Sequence, residues 1–581
     1  MSVRNLQALF QPRSLAVIGA SDQPASVGAV VFRNAMAGGF KGPIWPVNLR
    51  HDTVGGARAW RDVASLPQAP DLAVICTPAA TVPQLISQLA AKGCRAAVVL
   101  SAGLKEAAHP GGPTYEEQML DAARPALLRV LGPNCIGLLT PGIGLNASFA
   151  PGNALPGALA FVSQSGALAT AMLDWANGRG IGFSHFISLG DSADVDFGDT
   201  LDYLASDGNT RAILMYAESV KGGCKFMSAA RAAARNKPVI VVKAGRAPEG
   251  AKAAASHTGA LAGSDAVFDA VAQRAGMLRV DTLEALFDAA QTLASAKPLV
   301  GEKLAILTNG GGAGVLAADA LALAGGSAAV LRADTLAALD HCLPATWSHG
   351  NPVDIIGDAP IGRYQDALRV LLAAPEVDAL LFIHAPTAMA PASDIATACL
   401  PALAQSRKPV LSCWLGDLSV AAARKSCSAA GVPTYSTPER AVTAWMQRVT
   451  HARNLAALQE IPSSVVPAFS PDSERARALV EAARRDGREW LDEVLGKELL
   501  QAYGIATVMT RRVADVEGAL EEAQRIGYPV ALKVLSPQIL HKSDVGGVEL
   551  NLISAQVLRA AATRIRERVA RLRPDAVIEG F

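Results

Sequence analysis

Short apolar stretches followed by turns of small residues recur along this chain, and they restrict its fold more than any other feature. The first stretch is SLAVIGA at residues 14–20, which has the length and composition of a buried parallel strand. Helical stretches then alternate with four more apolar stretches: PIWPVN, DLAVICTP, AAVVLSAG and LLRVLGPN. Because parallel strands need crossover helices, this pattern predicts an α/β domain with a Rossmann-like, doubly wound sheet and a ligand site at the carboxyl ends of its strands.

The turn after the first strand, Gly19-Ala20-Ser21, lacks the GxGxxG fingerprint of dinucleotide-binding proteins. The second strand is not followed by the acidic residue that would bind an adenosine ribose; Asn48 and Arg50 stand there instead. An arginine at this place suits a phosphorylated ribose, which coenzyme A (CoA) and NADP both carry. These residues are either ligands of such a cofactor or ordinary turn and surface residues, and the pattern leaves both interpretations open.

A second unit of the same kind begins near residue 156 with ALAFVSQSGALATAMLDWA. The turn between its strand and its helix consists of Ser163, Gln164, Ser165 and Gly166. Free main-chain N–H groups and the positive end of the helix dipole favour anions at such a turn, and the two hydroxyls add donors. The alternative is an ordinary serine N-cap without a ligand.

Two further features fall at the carboxyl ends of strands in this second predicted sheet. Glu218 ends the stretch RAILMYAES, and the strand PVIVVKAG leads into a loop of small residues, 243–263, that contains His257. Alone, this loop reads as an alanine-rich surface loop with an incidental histidine. Together with the serine turn and Glu218 it predicts a functional site, because the carboxyl ends of parallel strands share one edge of a sheet.

A third unit repeats the pattern in KLAILTNGGGAGVLAADALALAG, where glycines including Gly311 and Gly312 allow a close approach of the main chain to an anion. Flexible turn chemistry is the alternative. A stretch rich in Pro, Ser, Arg and Ala then predicts a linker before a different α+β domain. The predicted organisation is a Rossmann-like domain, two small parallel-sheet domains, a linker and a last domain, with bounds 1–150, 151–298, 299–460, 461–487 and 488–581.

Composition excludes several classes of protein. The formal net charge is +1 with 18% charged residues, so neither a nucleic-acid surface nor a polybasic membrane contact is predicted. No apolar run approaches about 20 residues, so no membrane span is expected. The eight cysteines form no CxxC pair, which is typical of reduced thiols in a cytoplasmic protein. Cys135, in the turn GPNCIG, is interpreted as a packing residue rather than a nucleophile.

Five motifs together resemble one family. They are VIGAS after the first strand, VICTP at residues 74–78, GPNCIG at 132–137, SQSGAL at 163–168 and SHTGALAGSDAVFDA from residue 256. In this order they resemble the nucleoside-diphosphate-forming acyl-CoA synthetases, which include ADP-forming acetyl-CoA synthetase and succinyl-CoA synthetase. The resemblance covers essentially the whole chain. It implies a Rossmann-like CoA-binding domain, two flavodoxin-like domains and part of an α+β ATP-grasp domain.

The resemblance also implies a reaction: acid, CoA and ATP give acyl-CoA, ADP and phosphate through an acyl phosphate and a phosphohistidine. His257 would carry the phosphoryl group and Glu218 would orient it, while the serine and glycine turns would hold phosphate. A small carboxylic acid is the expected substrate, Mg²⁺ is expected in a complete ATP-grasp site, and a homodimer or heterotetramer is the expected assembly. The implied ligands of CoA are Gly19, Ala20, Ser21, Asn48, Arg50, Thr77, Pro78 and Asn134, and those of the nucleotide are Lys533 and Glu579.

The sequence ends at DAVIEGF, which has the pattern of a beginning strand. We therefore expect the ATP-grasp domain to be incomplete, without the half that supplies magnesium carboxylates. Two other functions stay open at this point. One is the regulatory module of a protein lysine acetyltransferase, although that module usually lacks the histidine; the other is a CoA- or NADP-binding protein without catalysis.

Overall fold

The computed structural model describes residues 3–107, 109–252, 264–294, 297, 299–460, 470–539 and 541–581. His257 and the loop around it, 253–263, lie outside the described residues. The chain divides into two compact units, Met1–Glu460 and Ile461–Phe581. Among the described residues, the first unit contains three large sheets built mainly from parallel strands and one two-stranded hairpin, and the second unit contains a two-stranded antiparallel sheet with helices.

The first sheet is parallel and its strands run in the order β2-β1-β5-β6-β7. The central strands are buried along their whole length, which explains why the sequence shows continuous apolar stretches here. Strand order reverses between β1 and β5, the place where doubly wound sheets bind ligands. Its elements are β1 Leu15–Ile18, β2 Ile44–Val47, β3 Thr53–Val54, β4 Ala57–Arg58, β5 Leu72–Ile75, β6 Ala96–Val99 and β7 Arg129–Leu131, with α1 Leu6–Phe10, α2 Val27–Ala37, α3 Val82–Lys92 and α4 Tyr115–Ala123; β3 and β4 form a separate hairpin.

The second sheet has seven strands in the order β14-β13-β12-β10-β11-β8-β9. Strands β10 to β14 are parallel in a flavodoxin-like arrangement, and β8 and β9 extend the sheet in antiparallel pairing. Although β8 and β9 precede residue 150, they belong to this sheet; the domain bounds expected from the sequence stay predictions. The elements are β8 Gly137–Thr140, β9 Leu145–Ser148, β10 Pro156–Ser163, β11 Phe183–Ser188, β12 Ala212–Ala217, β13 Val239–Lys243 and β14 Leu278–Val280, with α5 Gly166–Gly178, α6 Phe197–Ser206, α7 Gly223–Asn236, α8 Asp265–Arg274 and α9 Leu283–Ala294.

The third sheet is also flavodoxin-like, with the order β16-β15-β18-β19-β20 and a short strand β17 that pairs with β15. The Rossmann-like and flavodoxin-like folds expected from the sequence are thus confirmed. The elements are β15 Lys303–Thr308, β16 Ser327–Ala328, β17 Val353–Asp354, β18 Ala379–His384, β19 Val410–Trp414 and β20 Thr434–Tyr435, with α10 Gly311–Leu323, α11 Ala333–Cys342, α12 Ile361–Ala373, α13 Ala392–Gln405, α14 Ala421–Ala429 and α15 Pro438–Gln459.

Helix α15 joins the second and third sheets, because it packs against β14 on one side and α10 on the other. Polar contacts reinforce the junction: the Arg440 guanidinium lies 2.8 Å from an Asp288 carboxylate oxygen, and the hydroxyls of Thr292 and Tyr435 share a hydrogen bond. Burial raises the pKa of Asp288, although its hydrogen bond from Arg440 opposes that shift. The two sheets are therefore joined by a half-buried ion pair and a buried hydrogen bond as well as by apolar packing.

The second unit has an apolar core under one small sheet. Strands β21 Val530–Lys533 and β22 Val548–Leu552 pair in antiparallel fashion, with α16 Ser473–Arg485, α17 Glu493–Ala502, α18 Val516–Ile526 and α19 Ala555–Leu572. Leu558, Ile565 and Val569 of α19 form much of the core. In the whole described part of the chain, no helix combines the length and the apolar character needed to cross a membrane.

Candidate active site

A cleft of about 400 Å³ opens between the first and second sheets. The turn after β7 supplies one wall, and the exits of β10, β11 and β12 supply the other. Both walls lie within the first unit, so the cleft is a feature of one compact body. Its lining residues are Leu100, Asn134, Cys135, Ile136, Phe149, Gln164, Ser165, Gly166, Ala167, Thr170, Gly190, Asp191 and Glu218.

The serine turn forms the floor of this cleft where β10 passes into α5. The buried Ser163 hydroxyl donates to the Ser165 carbonyl (2.8 Å) and accepts from the Ser165 N–H (3.1 Å), which fixes the turn. The Ser165 hydroxyl is the N-cap and accepts from the N–H of Leu168. The N–H groups of Gly166 and Ala167 have no acceptor among the described residues, as is usual in the first turn of a helix. The turn therefore offers donors to an anion.

Gln164 points away from those free N–H groups. Its Oε1 accepts from the N–H of Glu218 (2.6 Å) and of Ser219 (3.0 Å), and its Nε2 donates to the Ser219 carbonyl (3.0 Å). Its main-chain N–H donates to the Tyr216 carbonyl. Both ends of the side-chain amide thus connect the serine turn to the exit of β12, and a direct contact of Gln164 with phosphate stays a prediction.

Glu218 lies immediately after β12 and is only 9% exposed, on the wall of the same cleft as the serine turn. The next strand, β13, ends at Lys243, which is 5% exposed. Its ammonium donates to the Glu218 carbonyl (2.8 Å) and to the Ala244 carbonyl. Lys243 was not among the residues predicted from the sequence, although its place at the end of a predicted strand, next to the loop of His257, was a usable signal.

Asp191 follows β11 and lines the same cleft as the serine turn. Lys221 donates to its main-chain carbonyl (2.8 Å), and the ammonium of Lys105 lies 3.8 Å from its carboxylate. Asn134, a predicted CoA ligand, is exposed and places its amide 3.5 Å from the same carboxylate. Asp191 was not predicted as a site residue, because the turn LGDS shows no distinctive pattern.

The other predicted CoA ligands surround the switch point of the first sheet. Gly19 has φ +85°, and a Cβ there would lie 2.9 Å from the Thr77 methyl group and would force that side chain to move. Gly28, at the start of α2, approaches so closely that its Cβ would overlap the Gly19 carbonyl. In the GxGxxG fingerprint, the third glycine allows the helix to pack closely on the strand. Gly28 allows the same close packing here, although the fingerprint is absent.

Asn48 organises the turn after β2. Its amide nitrogen donates to the Ala20 carbonyl (2.8 Å), and its Oδ1 accepts from the N–H groups of Arg50 and His51. The Arg50 side chain is exposed, as a residue that meets a cofactor phosphate would have to be. Ala20 is buried and Ser21 is half-buried, and the Ser21 hydroxyl accepts from Gln23. Asn48 therefore shapes the site, whereas its contact with CoA stays a prediction.

Thr77 and Pro78 follow β5 at the same edge of the sheet. The Thr77 hydroxyl shares a hydrogen bond with Thr81 (2.7 Å), and Pro78 is exposed. Cys135 lines the cleft but is 3% exposed, and burial is the main cause that raises the pKa of its thiol to about 12. A thiol with that pKa is neutral at pH 7, in keeping with a packing role.

Gly311 and Gly312 form the first turn of α10 in the third sheet and are exposed. A Cβ on Gly311 would lie 3.0 Å from the Asp354 carboxylate, and one on Gly312 would meet no atom within 4 Å. Neither glycine lines the 400 Å³ cleft among the described residues. The described residues bring the serine turn and Glu218 together in that cleft, and phosphate binding by Gly311 and Gly312 stays a prediction.

In the second unit, Lys533 ends β21 and lines a pocket of about 420 Å³. Its ammonium and that of Lys497 share one carboxylate oxygen of Glu493, at 2.6 and 2.8 Å. Burial would raise the pKa of Glu493, but these two hydrogen bonds lower it overall. Glu579 is exposed, and its N–H donates to the Leu535 carbonyl (2.9 Å). Glu493 and Lys497 were not predicted from the sequence, since only contact with Lys533 marks them.

Mg²⁺ is expected wherever an ATP-grasp site binds its nucleotide. Within the described ranges, no group of three carboxylate, histidine or cysteine side chains is arranged to hold a metal ion. The residues described in the second unit therefore do not fit a magnesium site by themselves, and we assign Mg²⁺ no ligand among the described residues.

Models of four domain families match the chain in succession. They are a CoA binding domain at residues 13–141, a succinyl-CoA ligase like flavodoxin domain at 156–293, a ligase-CoA domain at 304–459 and an ATP-grasp domain at 482–581. This succession is the one that the sequence motifs predicted.

Individual proteins resemble the chain over most of its length. ADP-forming acetate–CoA ligase I of Archaeoglobus fulgidus is 37% identical over 578 residues, which cover 99% of this chain and 82% of that protein. The alpha subunit of ADP-forming acetate–CoA ligase I of Pyrococcus furiosus is 38% identical over 446 residues, or 76% of this chain and 96% of that subunit.

A solved structure resembles the chain as well. It is acetyl-coenzyme A synthetase 1 of Candidatus Korarchaeum cryptofilum in complex with phosphate and ADP, with a TM-score of 0.73 and 35% identity. The match covers 80% of this chain and 99% of that one. From its motifs, its folds and these relatives, the chain belongs to the family of ADP-forming acyl-CoA ligases.

Proposed function

We propose that this acid–thiol ligase converts an acid, CoA and ATP into acyl-CoA, ADP and phosphate through an acyl phosphate and a phosphohistidine at His257. One observation carries the proposal: the anion-binding turn at Ser165 and Gly166 and the buried Glu218 line the same cleft. Glu218 also lies one strand away from Lys243, after which the segment containing His257 begins. In the direction that consumes acyl-CoA, the first partial reaction would take place in this cleft.

That first reaction would exchange acyl-CoA and phosphate. A phosphate oxygen attacks the thioester carbonyl, the C–S bond breaks, and CoA leaves as a thiolate while acyl phosphate forms. The free N–H groups of Gly166 and Ala167 and the positive end of α5 would hold the phosphate for this attack, since fixed donors stabilise the charge on the oxygens without reorganisation. The predicted CoA ligands at Gly19–Ser21, Asn48, Arg50, Thr77 and Pro78 would place the nucleotide end at the first sheet.

His257 would then take the phosphoryl group. A ring nitrogen attacks phosphorus, the P–O bond to the acyl group breaks, and the acid leaves as a carboxylate while an N–P bond forms. A free histidine has a pKa of about 6.5, so it is mostly neutral at pH 7 and has a lone pair for this attack. Glu218 would accept a hydrogen bond from the other ring nitrogen, which selects the tautomer and stabilises the developing positive charge.

ADP would accept the phosphoryl group from His257 at the second unit. Lys533, with its ammonium at the pocket of that unit, is the proposed ligand of the nucleotide phosphates, and Glu579 is proposed at the adenine side. A covalent carrier lets two separate sites share one phosphoryl group without its loss to water. The Archaeoglobus and Pyrococcus relatives are named ADP-forming, which supports ADP as the nucleotide that exchanges the phosphoryl group.

The lining of the cleft supports a small monocarboxylic acid with an apolar chain as substrate. Leu100, Ile136 and Phe149 are large apolar side chains that line the cleft together with the serine turn. Ile136 lies closest, since its methyl group is 3.0 Å from where a Cβ on Gly166 would be. Among the described residues, the charged side chains in the lining are Asp191 and Glu218, both acidic, so the lining offers no cationic partner to a second carboxylate on the acyl group.

We further propose that the protein acts as an oligomer, either a homodimer or a heterotetramer, because a Pyrococcus furiosus relative is an alpha subunit. A cytoplasmic location is proposed as well, and the eight cysteines, all of them free thiols, support a reducing compartment.

The test is labelling with radioactive inorganic phosphate and a panel of acyl-CoAs, with no nucleotide added. We expect an acid-labile, base-stable label on the protein that is absent from His257→Ala, while CoA still binds to that variant. Acetyl-CoA, propionyl-CoA, isobutyryl-CoA and succinyl-CoA form the panel, and the monocarboxylic members should label best. Wild-type labelling of His257→Ala, or no labelling of a folded wild-type protein that binds CoA, would contradict the proposal.

A further inference from the structure

Glu218 is held on both sides by side chains from the two neighbouring strands. Strand β12 lies between β10 and β13 in the second sheet. Gln164 follows β10, and its side-chain amide clasps the main chain of Glu218 and Ser219. Lys243 ends β13 and binds the carbonyl of Glu218 from the other side. The main chain of Glu218 is therefore fixed at both its N–H and its carbonyl.

The Lys243 ammonium contacts more than Glu218. It also donates to the carbonyl of Ala244, the residue with which the chain leaves β13 towards His257. It lies 5.8 Å from the ring centroid of Phe268 in α8, the first described helix after His257. One buried charge thus contacts the chain before the His257 loop, the chain after it, and the residue proposed to orient His257.

Burial of this ammonium is energetically costly. Loss of hydration is the main cause that lowers the pKa of Lys243; the nearby carboxylates of Asp265 and Glu218 raise it, and the Arg279 guanidinium lowers it. A buried ion that serves packing alone can often be replaced by an apolar side chain without loss of stability. The main-chain contacts of Lys243 converge on the two segments that must meet for phosphoryl transfer, which is a geometric role that an apolar side chain cannot fill.

We propose that Lys243 is a positioning residue for phosphoryl transfer. Its ammonium sets the distance between Glu218 and Ala244, where the chain leaves β13 towards His257. This inference rests on the proposed function, in which the acyl phosphate P–O bond breaks as the N–P bond to His257 forms. It does not touch the earlier exchange of acyl-CoA with phosphate, which uses the serine turn. A displacement of about 1 Å at a reacting group can lower a rate about a hundredfold.

The two partial reactions separate this role from a structural one. In the wild-type protein and in Lys243→Met, we would measure CoA release from acyl-CoA and radioactive phosphate, and in parallel the rate at which label appears on the protein. We expect CoA release to stay near the wild-type rate in the first turnover, and labelling to slow by about ten- to a hundredfold. Lys243→Arg, which keeps the charge and the donors, should recover part of the labelling rate.

Lys237 offers a matched control. It precedes the same strand, β13, and its ammonium also donates to two main-chain carbonyls, those of Leu204 (2.7 Å) and Asp207. It lies at the amino end of β13, away from the cleft. Lys237→Met should lower the melting temperature at least as much as Lys243→Met, and it should leave both partial reactions unchanged.

Labelling of Lys243→Met at the wild-type rate would overturn the inference, as would an equal slowing of both partial reactions, which a general loss of structure produces. If Lys243→Met does not fold, Lys243→Gln removes the charge and shortens the side chain in the same two-rate test. Failure of the proposed function gives a different result, because the wild-type protein itself would then acquire no label on His257. If only the role of Lys243 is wrong, the wild-type protein labels normally.

Discussion

The chain leaves β10 and β15 through turns that are built in the same way, and the two sheets differ at the residues for which we propose a role in the reaction. In the second sheet the Ser163 hydroxyl donates to the carbonyl two residues on; in the third, Thr308 does the same to Gly310 (3.1 Å). In each turn, a side-chain amide forms hydrogen bonds with main-chain groups where a neighbouring strand ends. We call this set of hydrogen bonds a clasp. Gln164 clasps Glu218 and Ser219, and Asn309 clasps Ala385 through its Oδ1 and Nδ2, both at 2.8 Å.

The clasped residues and their neighbours carry the difference. Glu218 has Ala385 as its counterpart, so the third sheet has no carboxylate at this place. Lys243 at the end of β13 has Trp414 as its counterpart at the end of β19. His384, which ends β18, is fully buried and contacts Tyr364 and Trp414 instead of facing a cleft. The shared turn is therefore a property of the fold, while Glu218 and Lys243 are particular to the second sheet.

The largest expected effect follows from changing Glu218, the residue that distinguishes the two turns. Glu218→Gln keeps the size and the main-chain contacts but removes the charge that would stabilise a positive His257. Labelling by acyl-CoA and phosphate should slow by about a hundred- to ten-thousandfold, the range for loss of an acid–base partner, with an unchanged melting temperature. The labelling rate is measured from reactions stopped at successive times. A labelling rate within about twofold of the wild-type rate would show that Glu218 does not act on His257.

The fold and the candidate site differ in how far the sequence predicts them. Apolar strands such as β1 and β10, with turns of small residues, were recognisable because strand burial and turn chemistry are local properties of the chain. The placement of Ser165 and Glu218 at one cleft followed from the rule that parallel strands end at the same edge. Side-chain contacts did not follow: the hydrogen bond between the Gln164 amide and the main chain of Glu218 joins residues 54 apart in sequence, while a contact of Gln164 with phosphate stays a prediction.

Contacts between distant elements explain why other residues could not be predicted. The position of Lys243 at a strand end next to the loop of His257 was a usable signal, but its contacts with Phe268 and Glu218 are visible only in three dimensions. Likewise, Glu493 is recognised as a candidate site residue only because its carboxylate forms ion pairs with Lys497 and Lys533. Asn48 was selected as a ligand from its position, whereas its hydrogen bond to Ala20 shows a part in shaping the turn.

A second prediction concerns the buried His384 of the third sheet. Burial lowers the pKa of His384 to about 4, below the value of about 6.5 expected in the unfolded chain. The native state therefore binds fewer protons between these values, and stability is complete above pH 6.5 and is lost as pH falls towards 4, by about 3 kcal/mol from this group.

His384→Gln keeps a polar partner for the Tyr364 hydroxyl but does not titrate. Its free energy of unfolding should fall less steeply from about pH 6.5 to 4 than that of the wild-type protein, as measured by urea denaturation at several pH values. His185, whose pKa burial lowers to about 4, and His451, whose pKa burial also lowers, contribute to the remaining slope in the variant. Parallel curves for the two proteins would show that His384 is not protonated on unfolding.

A third prediction compares the two clasps directly. Gln164→Leu and Asn309→Leu each leave main-chain groups without partners, which costs about 1–3 kcal/mol. Asn309 is 2% exposed and Gln164 is half-buried, so Asn309→Leu should lower stability more. Phosphohistidine labelling should respond in the opposite order, because only Gln164 clasps Glu218. Equal slowing of labelling by both variants would contradict the assignment of chemistry to the second sheet alone.

The smallest expected effect lies in the turn hydroxyls that the two sheets share. Ser163 and Thr308 are buried, and each hydroxyl satisfies one N–H and one carbonyl of its own turn. Ser163→Ala and Thr308→Val remove these bonds at little change in volume, so each should lower the free energy of unfolding by about 1 kcal/mol. Because the bonds are the same in both turns, the two losses should agree within experimental error in chemical denaturation. A clearly larger loss for Ser163→Ala would mean that the turn at the cleft depends on its hydroxyl more than its counterpart does, and the shared construction would then not be a property of the fold alone.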